Sequence, residues 1–94
     1  MVKHVVMWKI KDAKSNAEKM KDKLEALEAK IDEIKSLEVG INFNDSPRAY
    51  DLVLITEFED QAALERYQKH PDHLEIVDYV KSLTNEVAAV DYNS

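Results

Sequence analysis

Hydrophobic and polar positions alternate along residues 2–11. One side of this stretch carries His4, Val6, Trp8 and Ile10, and the other carries Lys3, Val5, Met7, Lys9 and Lys11. A period of two that is rich in valine predicts a β-strand. Because Val5 and Met7 are apolar as well, both faces of this strand need cover at its centre. A single layer of helices covers only one of them.

A helical period follows the first strand. The apolar positions are Ala17, Met20, Leu24, Leu27, Ile31 and Ile34, at alternating steps of three and four. This spacing predicts one long amphipathic helix that packs on a sheet, with a short coiled-coil seam as the alternative. Residues 15–18, Ser-Asn-Ala-Glu, have the form of a capping box, with a hydroxyl at the cap and a carboxylate three residues later. Ser15 is therefore the predicted cap.

Two more strands are predicted on either side of a turn. The first alternates over residues 36–43, with Leu37, Val39, Ile41 and Phe43 on one side. Residues 44–48, Asn-Asp-Ser-Pro-Arg, are typical of a turn, and residues 50–59 form the third predicted strand. Gly40 is the only glycine of the chain and lies in the middle of the second strand. There it indicates a bulge or the close approach of another group.

The next segment divides at Pro71, because proline cannot continue a helix but fits the first turn of a new one. We expect one helix before it, capped by Asp60, and a second that runs to about residue 83. Residues 85–92 then form a fourth strand. This order predicts an α+β fold, the ferredoxin-like βαββαβ arrangement with a four-stranded antiparallel sheet. We expect residues 1–94 to form one domain.

The sheet face away from the helices indicates how the chain assembles. Its predicted members include Val5, Met7, Val53 and Ile55. On a monomer they would form a large exposed apolar patch, which soluble proteins avoid. We therefore expect a homodimer in which two sheets stack face to face, forming a dimeric α/β barrel.

The candidate chemistry is concentrated in residues 67–73, Tyr-Gln-Lys-His-Pro-Asp-His. Helical spacing places Tyr67 and His73 on the inward faces of the two helices that meet at the proline. His4 lies on the helix-facing side of the first strand. We therefore expect these three side chains to line one cavity between helices and sheet. Buried tyrosine and histidine also occur as packing residues with satisfied polar atoms, so a purely structural role stays open.

Charge and composition exclude several functions. Nineteen acidic and thirteen basic residues give a net charge of -6, so neither nucleic acid nor an anionic membrane is expected as a partner. The absence of cysteine rules out disulfides and thiolate ligands. A single glycine excludes the glycine-rich loops that cradle nucleotide cofactors, and no cofactor is predicted. No apolar run reaches the length of a membrane span, and a cytoplasmic location is expected.

The chain resembles the stress-responsive A/B barrel (Dabb) domain family along nearly its whole length. The resemblance rests on residues 2–6 (Val-Lys-His-Val-Val), 38–40 (Glu-Val-Gly), 50–54 (Tyr-Asp-Leu-Val-Leu), 58–60 (Phe-Glu-Asp), 64–73 and 90–92 (Val-Asp-Tyr). Its most specific part is the tyrosine followed by His-Pro-x-His within residues 67–73. The resemblance implies a dimeric α+β barrel built from two ferredoxin-like subunits.

The family includes plant olivetolic acid cyclase, which closes a linear tetraketide thioester by intramolecular aldol condensation. By motif position, the resemblance implies catalytic roles for Tyr67 and His73. It also implies substrate-binding roles for His4 and His70. Two neighbours of His4 on its side of the strand, Val6 and Trp8, are predicted to complete the binding residues. Because Trp8 is bulky and the first helix is aliphatic, we expect a substrate different from that polyketide, and smaller.

Three functions are compatible with these residue types. The first is a cofactor-free cyclase or isomerase of a small carbonyl or polyketide-like compound, with His73 as base and Tyr67 as donor to the enolate oxygen. The second is a non-catalytic stress-responsive module that binds a small apolar ligand or a protein partner. The third is a metal site at His70, Asp72 and His73. Helix geometry spreads those residues across the proline break, so no metal is predicted.

Overall fold

A computed structural model describes all 94 residues of the chain. Its elements are β1 (Val2–Ile10), α1 (Ala13–Glu25), α2 (Leu27–Lys30), β2 (Ser36–Ile41), β3 (Leu52–Phe58), α3 (Gln61–Lys69), α4 (Pro71–Leu83) and β4 (Thr84–Asn93). The strands form one antiparallel sheet in the order β2-β3-β1-β4. The predicted ferredoxin-like α+β fold is therefore confirmed.

β1 is a central strand and positions the inner face of the sheet. It pairs antiparallel with β3 on one side and with β4 on the other. Its buried residues are Val2, His4, Val6, Trp8 and Ile10, and the residues between them are half-buried. The alternation predicted from the sequence is confirmed, and it places His4 on the side that the helices cover.

The helices pack on the sheet through one apolar core. The apolar positions predicted for the first helix are here called the apolar stripe. Met20, Leu24 and Leu27 of this stripe are at most 2% exposed, so they lie in the core. From the other elements the core takes Leu52, Leu54 and Phe58 of β3, Ala63, Leu64 and Tyr67 of α3, and Ile76 and Val80 of α4. Removal of this apolar surface from water is the main driving force for the fold.

The first helix begins earlier than predicted. The Asp12 carbonyl accepts hydrogen bonds from the N–H groups of Ser15 and Asn16, both at 3.0 Å. Ser15 therefore lies inside the first turn of α1 and cannot cap it, so the predicted capping box is wrong. Asp12 precedes the helix in the left-handed conformation, with φ 48°, and its side chain makes no capping hydrogen bond.

The first helix also ends earlier than predicted. α1 stops at Glu25 and α2 adds only a short turn, after which Ile31 is extended. Ile31 and Ile34 are buried, as the stripe predicted, but they lie outside the helix. The N–H of Lys35 donates to the Glu57 carbonyl of β3 at 2.8 Å. The helical pattern ends here because the chain must extend to pair with β3.

The hairpin from β2 to β3 has shorter strands than the alternation predicted. The Asn42 side chain donates to the Asn44 carbonyl at 2.6 Å and accepts from the Asn44 N–H at 3.1 Å. This turn ends β2 at Ile41 and leaves Phe43 fully exposed, so Phe43 is not part of the strand. Local side-chain hydrogen bonds here take the place of the ladder.

Gly40 lies opposite Val53 in a ladder without a register shift, so it does not form a bulge. A Cβ atom at this position would stand 3.2 Å from the Val53 Cγ1 atom. Of the two alternatives for this glycine, close approach of another group is therefore the correct one.

The later helices begin where the sequence predicts, α3 at its cap Asp60 and α4 at Pro71. The Asp60 carboxylate accepts from the Ala63 N–H at 2.8 Å and caps α3. α3 ends at Lys69, and Pro71 is the first residue of α4. Arg66 of α3 also makes two hydrogen bonds of 3.0 Å to Glu33, which fasten α3 to the segment that follows α2.

The face of the sheet away from the helices, here called the open face, is apolar across three strands. Val5 lies opposite Ile55 of β3 and opposite Val90 of β4. Val5 and Ile55 are half-buried, whereas Val90 is 59% exposed. None of the helices is both long and apolar enough to cross a bilayer.

Candidate functional site

The junction of α3 and α4 brings Tyr67 and His73 into contact. Their ring centroids are 4.3 Å apart, and their planes meet at 44°. His4 approaches Tyr67 from β1, with the centroids 6.2 Å apart and the ring planes at 66°, an edge-on arrangement. The three residues that the sequence singled out therefore form one cluster, in which Tyr67 adjoins both histidines.

Tyr67 is almost completely enclosed, with 1% of its surface exposed, and its ring also packs on Phe58 at 4.9 Å. Its hydroxyl has no hydrogen-bond partner within the chain. Because every fully buried side-chain oxygen and nitrogen has a partner, the small exposed part of Tyr67 includes this hydroxyl. Burial raises the pKa of Tyr67 to about 12. At neutral pH Tyr67 is therefore a protonated phenol with a free hydrogen to donate.

The hydrogen bond that holds His73 defines which ring nitrogen is basic. His73 Nδ1 lies 3.1 Å from the Gln68 carbonyl oxygen. A carbonyl only accepts, so Nδ1 carries the proton, and Nε2 of the neutral ring keeps a lone pair. Burial lowers the pKa of His73 below 6.5, and the nearby His4 and His70 lower it further, against the opposing effect of the Gln68 hydrogen bond. His73 is therefore a neutral base at pH 7.

His70 stands between the two helices as the residue that caps α4. Its Nδ1 atom accepts a hydrogen bond from the Asp72 N–H at 3.1 Å. The Asp72 carboxylate is 3.8 Å from the same nitrogen, too far for a hydrogen bond, so the lone pair belongs to the backbone N–H. The structure thus gives His70 a capping role. Substrate binding by His70 stays a prediction.

Asp91 is a site residue that the sequence analysis missed. Its carboxylate accepts a hydrogen bond from His4 Nδ1, which therefore carries the ring proton and leaves Nε2 free when His4 is neutral. The pairing of β1 with β4 sets Asp91 directly opposite His4. Sequence spacing within either strand does not give the register between two strands that are far apart in the chain, so no local signal could have found this partner.

The cavity nearest to these residues has a volume of about 280 Å³ and lies between α3 and β4. Its lining includes Gln68 and Asp91, the residues whose oxygens hold His73 and His4. None of the three main cavities of the chain is lined by Tyr67, His73 or His4 themselves. The cavity therefore adjoins the cluster through Gln68 and Asp91.

The other predicted binding residues, Val6 and Trp8, are buried in the core at 7% and 8% exposure. Neither lines one of the three main cavities, and their part in binding stays a prediction. His, Cys, Asp and Glu side chains nowhere form a group of three or more that could hold a metal ion.

Comparison with known proteins gives a family and several structural neighbours. A model of the stress responsive A/B barrel domain matches residues 2–94. The chain is 31% identical over 77 residues to an uncharacterized protein of Streptomyces coelicolor, covering 78% of this chain and 79% of that protein.

Among the solved structures that are similar over nearly the whole chain are two with bacterial sources. A dimeric protein of unknown function and ferredoxin-like fold from Bacteroides fragilis has 30% identity and a TM-score of 0.87, covering 99% of this chain and 95% of that one. A Dabb family protein with a ferredoxin-like fold from Mesorhizobium loti has 26% identity and a TM-score of 0.85, with the same coverage of 99% and 95%.

Proposed function

The chain belongs to the stress responsive A/B barrel domain family, and we propose that within it this protein is a cofactor-free enzyme, a cyclase or isomerase of a small carbonyl compound. One observation carries the proposal. A base that is neutral at pH 7, His73, lies in ring contact with a phenol that keeps its proton, Tyr67. Proton abstraction next to a carbonyl needs this pair of groups.

The reaction begins at the free Nε2 atom of His73, which takes a proton from the carbon next to the substrate carbonyl. The electron pair of the broken C–H bond moves onto the carbonyl oxygen, and the Tyr67 hydroxyl donates a hydrogen bond to that enolate. In a cyclase the enolate carbon then attacks a second carbonyl of the same molecule, whose oxygen takes up the proton held by His73. In an isomerase His73 returns the proton to a different atom.

His4 is the positioning group in this proposal. Its Nδ1 atom is held by Asp91, so Nε2 is the ring nitrogen left to contact a polar group of the substrate. The cavity of about 280 Å³ beside Gln68 and Asp91 offers a way in from the α3–β4 side. Its size suits a small substrate rather than a long polyketide. His70, Val6 and Trp8 complete the proposed binding residues.

The test uses hydrogen–deuterium exchange, because enolisation can be detected without knowing the natural substrate. Small β-keto esters, 1,3-diketones and linear triketides are incubated in D2O, and loss of the α-C–H signal is followed by NMR. His73→Ala should abolish the acceleration. Tyr67→Phe should reduce it about 10²–10³-fold, the effect of losing one oxyanion donor. Tyr50→Phe, which removes a hydroxyl outside the cluster, is the matched control and should leave the rate unchanged.

The second candidate is a non-catalytic module that binds a small apolar ligand. The observation in its favour is that Val2, Leu64 and Tyr92 line the cavity of about 280 Å³ and none of the three rings does, so a ligand held there would contact neither member of the proposed acid–base pair. Wild-type protein that accelerates no exchange, but is stabilised against heating by the same compounds, would support this candidate and contradict the enzymatic one.

We also propose a homodimer formed through the open face. Val5, Ile55 and Val90 make a continuous apolar row across three strands, which is the kind of patch that a second subunit covers. The relative from Bacteroides fragilis is dimeric. The cytoplasmic location expected from the sequence stays a prediction.

A further inference from the structure

A cleft of about 570 Å³ lies between α1 and α2 on one side and α4 on the other, and we call it the helix cleft. Its apolar lining consists of Ala26, Leu27, Ile76 and Tyr79. The volume is within the range of small-molecule sites, about 300–1,000 Å³. The helix cleft contains none of the three clustered rings, so what it binds is independent of the proposed reaction.

The two walls of the helix cleft carry opposite charges. The wall from α1 and α2 contributes Lys19, Lys23 and Lys30 with one acid, Asp22, whereas α4 contributes Asp72 and Glu75 and no base. The ion pairs of the chain lie elsewhere, except for the 3.8 Å approach of Asp72 to His70. The three lysines and Glu75 therefore line opposite walls of the cleft, and none of them is in an ion pair.

One cation extends across the opening. Lys23 Nζ of α1 lies 5.7 Å from the centre of the Tyr79 ring of α4, within the distance of a cation–π contact. The cleft thus combines an aromatic surface with a basic wall and an acidic wall. Three lysines against three carboxylates give no net charge, so the helix cleft has no overall preference for an anion or for a cation.

We propose that the helix cleft binds a zwitterionic α-amino acid with an apolar side chain. The carboxylate faces the lysines of α1 and α2, and the ammonium group faces Asp72 and Glu75. The side chain covers Leu27, Ile76 and the Tyr79 ring. A phosphate ester or an acidic peptide would be repelled by the two acids of α4, and a polyamine would be repelled by the lysines. None of these ligands therefore fits both walls.

The experiment is an NMR titration of the ¹⁵N-labelled full chain with three probes. L-Phenylalanine carries both charges, N-acetyl-L-phenylalanine only the carboxylate, and L-phenylalanine amide only the ammonium group. Phenylalanine should shift the amide signals of Ala26, Leu27, Ile76 and Tyr79. Each analogue should bind about fivefold more weakly, which is the effect of losing one solvent-exposed ion pair.

Charge-removing variants test the orientation. Glu75→Gln should weaken the binding of phenylalanine but leave the binding of N-acetyl-phenylalanine unchanged, because the acetylated probe has no ammonium group to lose a partner. Lys23→Gln should weaken the binding of phenylalanine but leave the binding of phenylalanine amide unchanged, because the amide has no carboxylate. Glu18→Gln, at an exposed position of α1 outside the cleft, should affect none of the probes.

Two results would overturn the proposal. One is absence of phenylalanine binding, or shifts confined to residues outside the helix cleft. The other is equal binding of all three probes to the wild type, since that would mean that the charged walls recognise nothing. Because the readout is binding and not turnover, failure here leaves the exchange test of the proposed reaction unaffected.

Discussion

Leu24→Ala tests whether the first helix is a core element, and the chain supplies its own control. Leu24 is 2% exposed in α1, whereas Leu74 is 53% exposed in α4. The two changes remove the same atoms from a helix, so the gain in helix propensity is nearly equal and cancels in the comparison. The difference between the variants therefore measures burial.

The expected losses differ several-fold. Truncating a buried leucine costs about 2–5 kcal/mol, from lost transfer free energy and the cavity left behind. Leu74→Ala should cost less than about 0.5 kcal/mol, the usual effect of a surface change. For a domain of this size each kcal/mol lowers Tm by about 4–8 °C. Leu24→Ala should therefore lower Tm by at least about 8 °C.

Circular dichroism follows chemical unfolding, which gives the loss of unfolding free energy, and thermal unfolding, which gives the change in Tm. Both are measured at one protein concentration, because the stability of the proposed dimer depends on it. Equal losses for the two variants, or a loss below about 0.5 kcal/mol for Leu24→Ala, would mean that the stripe of α1 does not hold the fold together.

Three further outcomes are expected. Asp60→Ala should cost about 0.5–2 kcal/mol by removing the cap of α3, whereas Asp60→Asn should cost far less in the same unfolding assay, because asparagine caps equally well. Burial lowers the pKa of His73, so the unfolded chain binds that proton more readily and stability should fall as the pH drops below 6.5. This part of the pH dependence should be absent from His73→Gln. A variant whose stability depends on pH as that of the wild type does would contradict the buried position of His73. Val5→Asp should shift the sedimentation coefficient from dimer to monomer by burying an unpaired charge, and a wild type that sediments as a monomer would exclude the proposed interface.

Much of the fold was predictable because its signals are local. The alternation along β1, the cap at Asp60 and the break at Pro71 each follow from a few adjacent residues, and each is confirmed. The end of the first helix was predicted wrongly because a distant partner decides it. Ile31 continues a helical period but is extended, because the pairing of Lys35 with Glu57 of β3 requires the chain to straighten first.

The candidate site likewise has residues that local sequence predicts and residues that it does not. Helical spacing and the proline together predict the inward positions of Tyr67 and His73, and their rings are in contact. Asp91 was not predictable in this way, because it lies 87 residues from His4 in the sequence and meets it only through the pairing of β1 with β4. The capping role of His70 was not predicted either; its ring nitrogen accepts from the Asp72 N–H, and its predicted part in substrate binding remains untested.

The attachment of Asp91 to an edge strand has a dynamic consequence. Within one chain β4 has backbone ladder bonds to β1 alone, and many of its residues are exposed. Such strands open locally at lower free energy than the whole domain unfolds. Each opening separates the Asp91 carboxylate from His4, while Tyr67 and His73 remain held by two consecutive helices. The lifetime of the His4 orientation thus depends on how often the edge strand opens. The lifetime of the Tyr67–His73 contact depends instead on how stably α3 and α4 are packed.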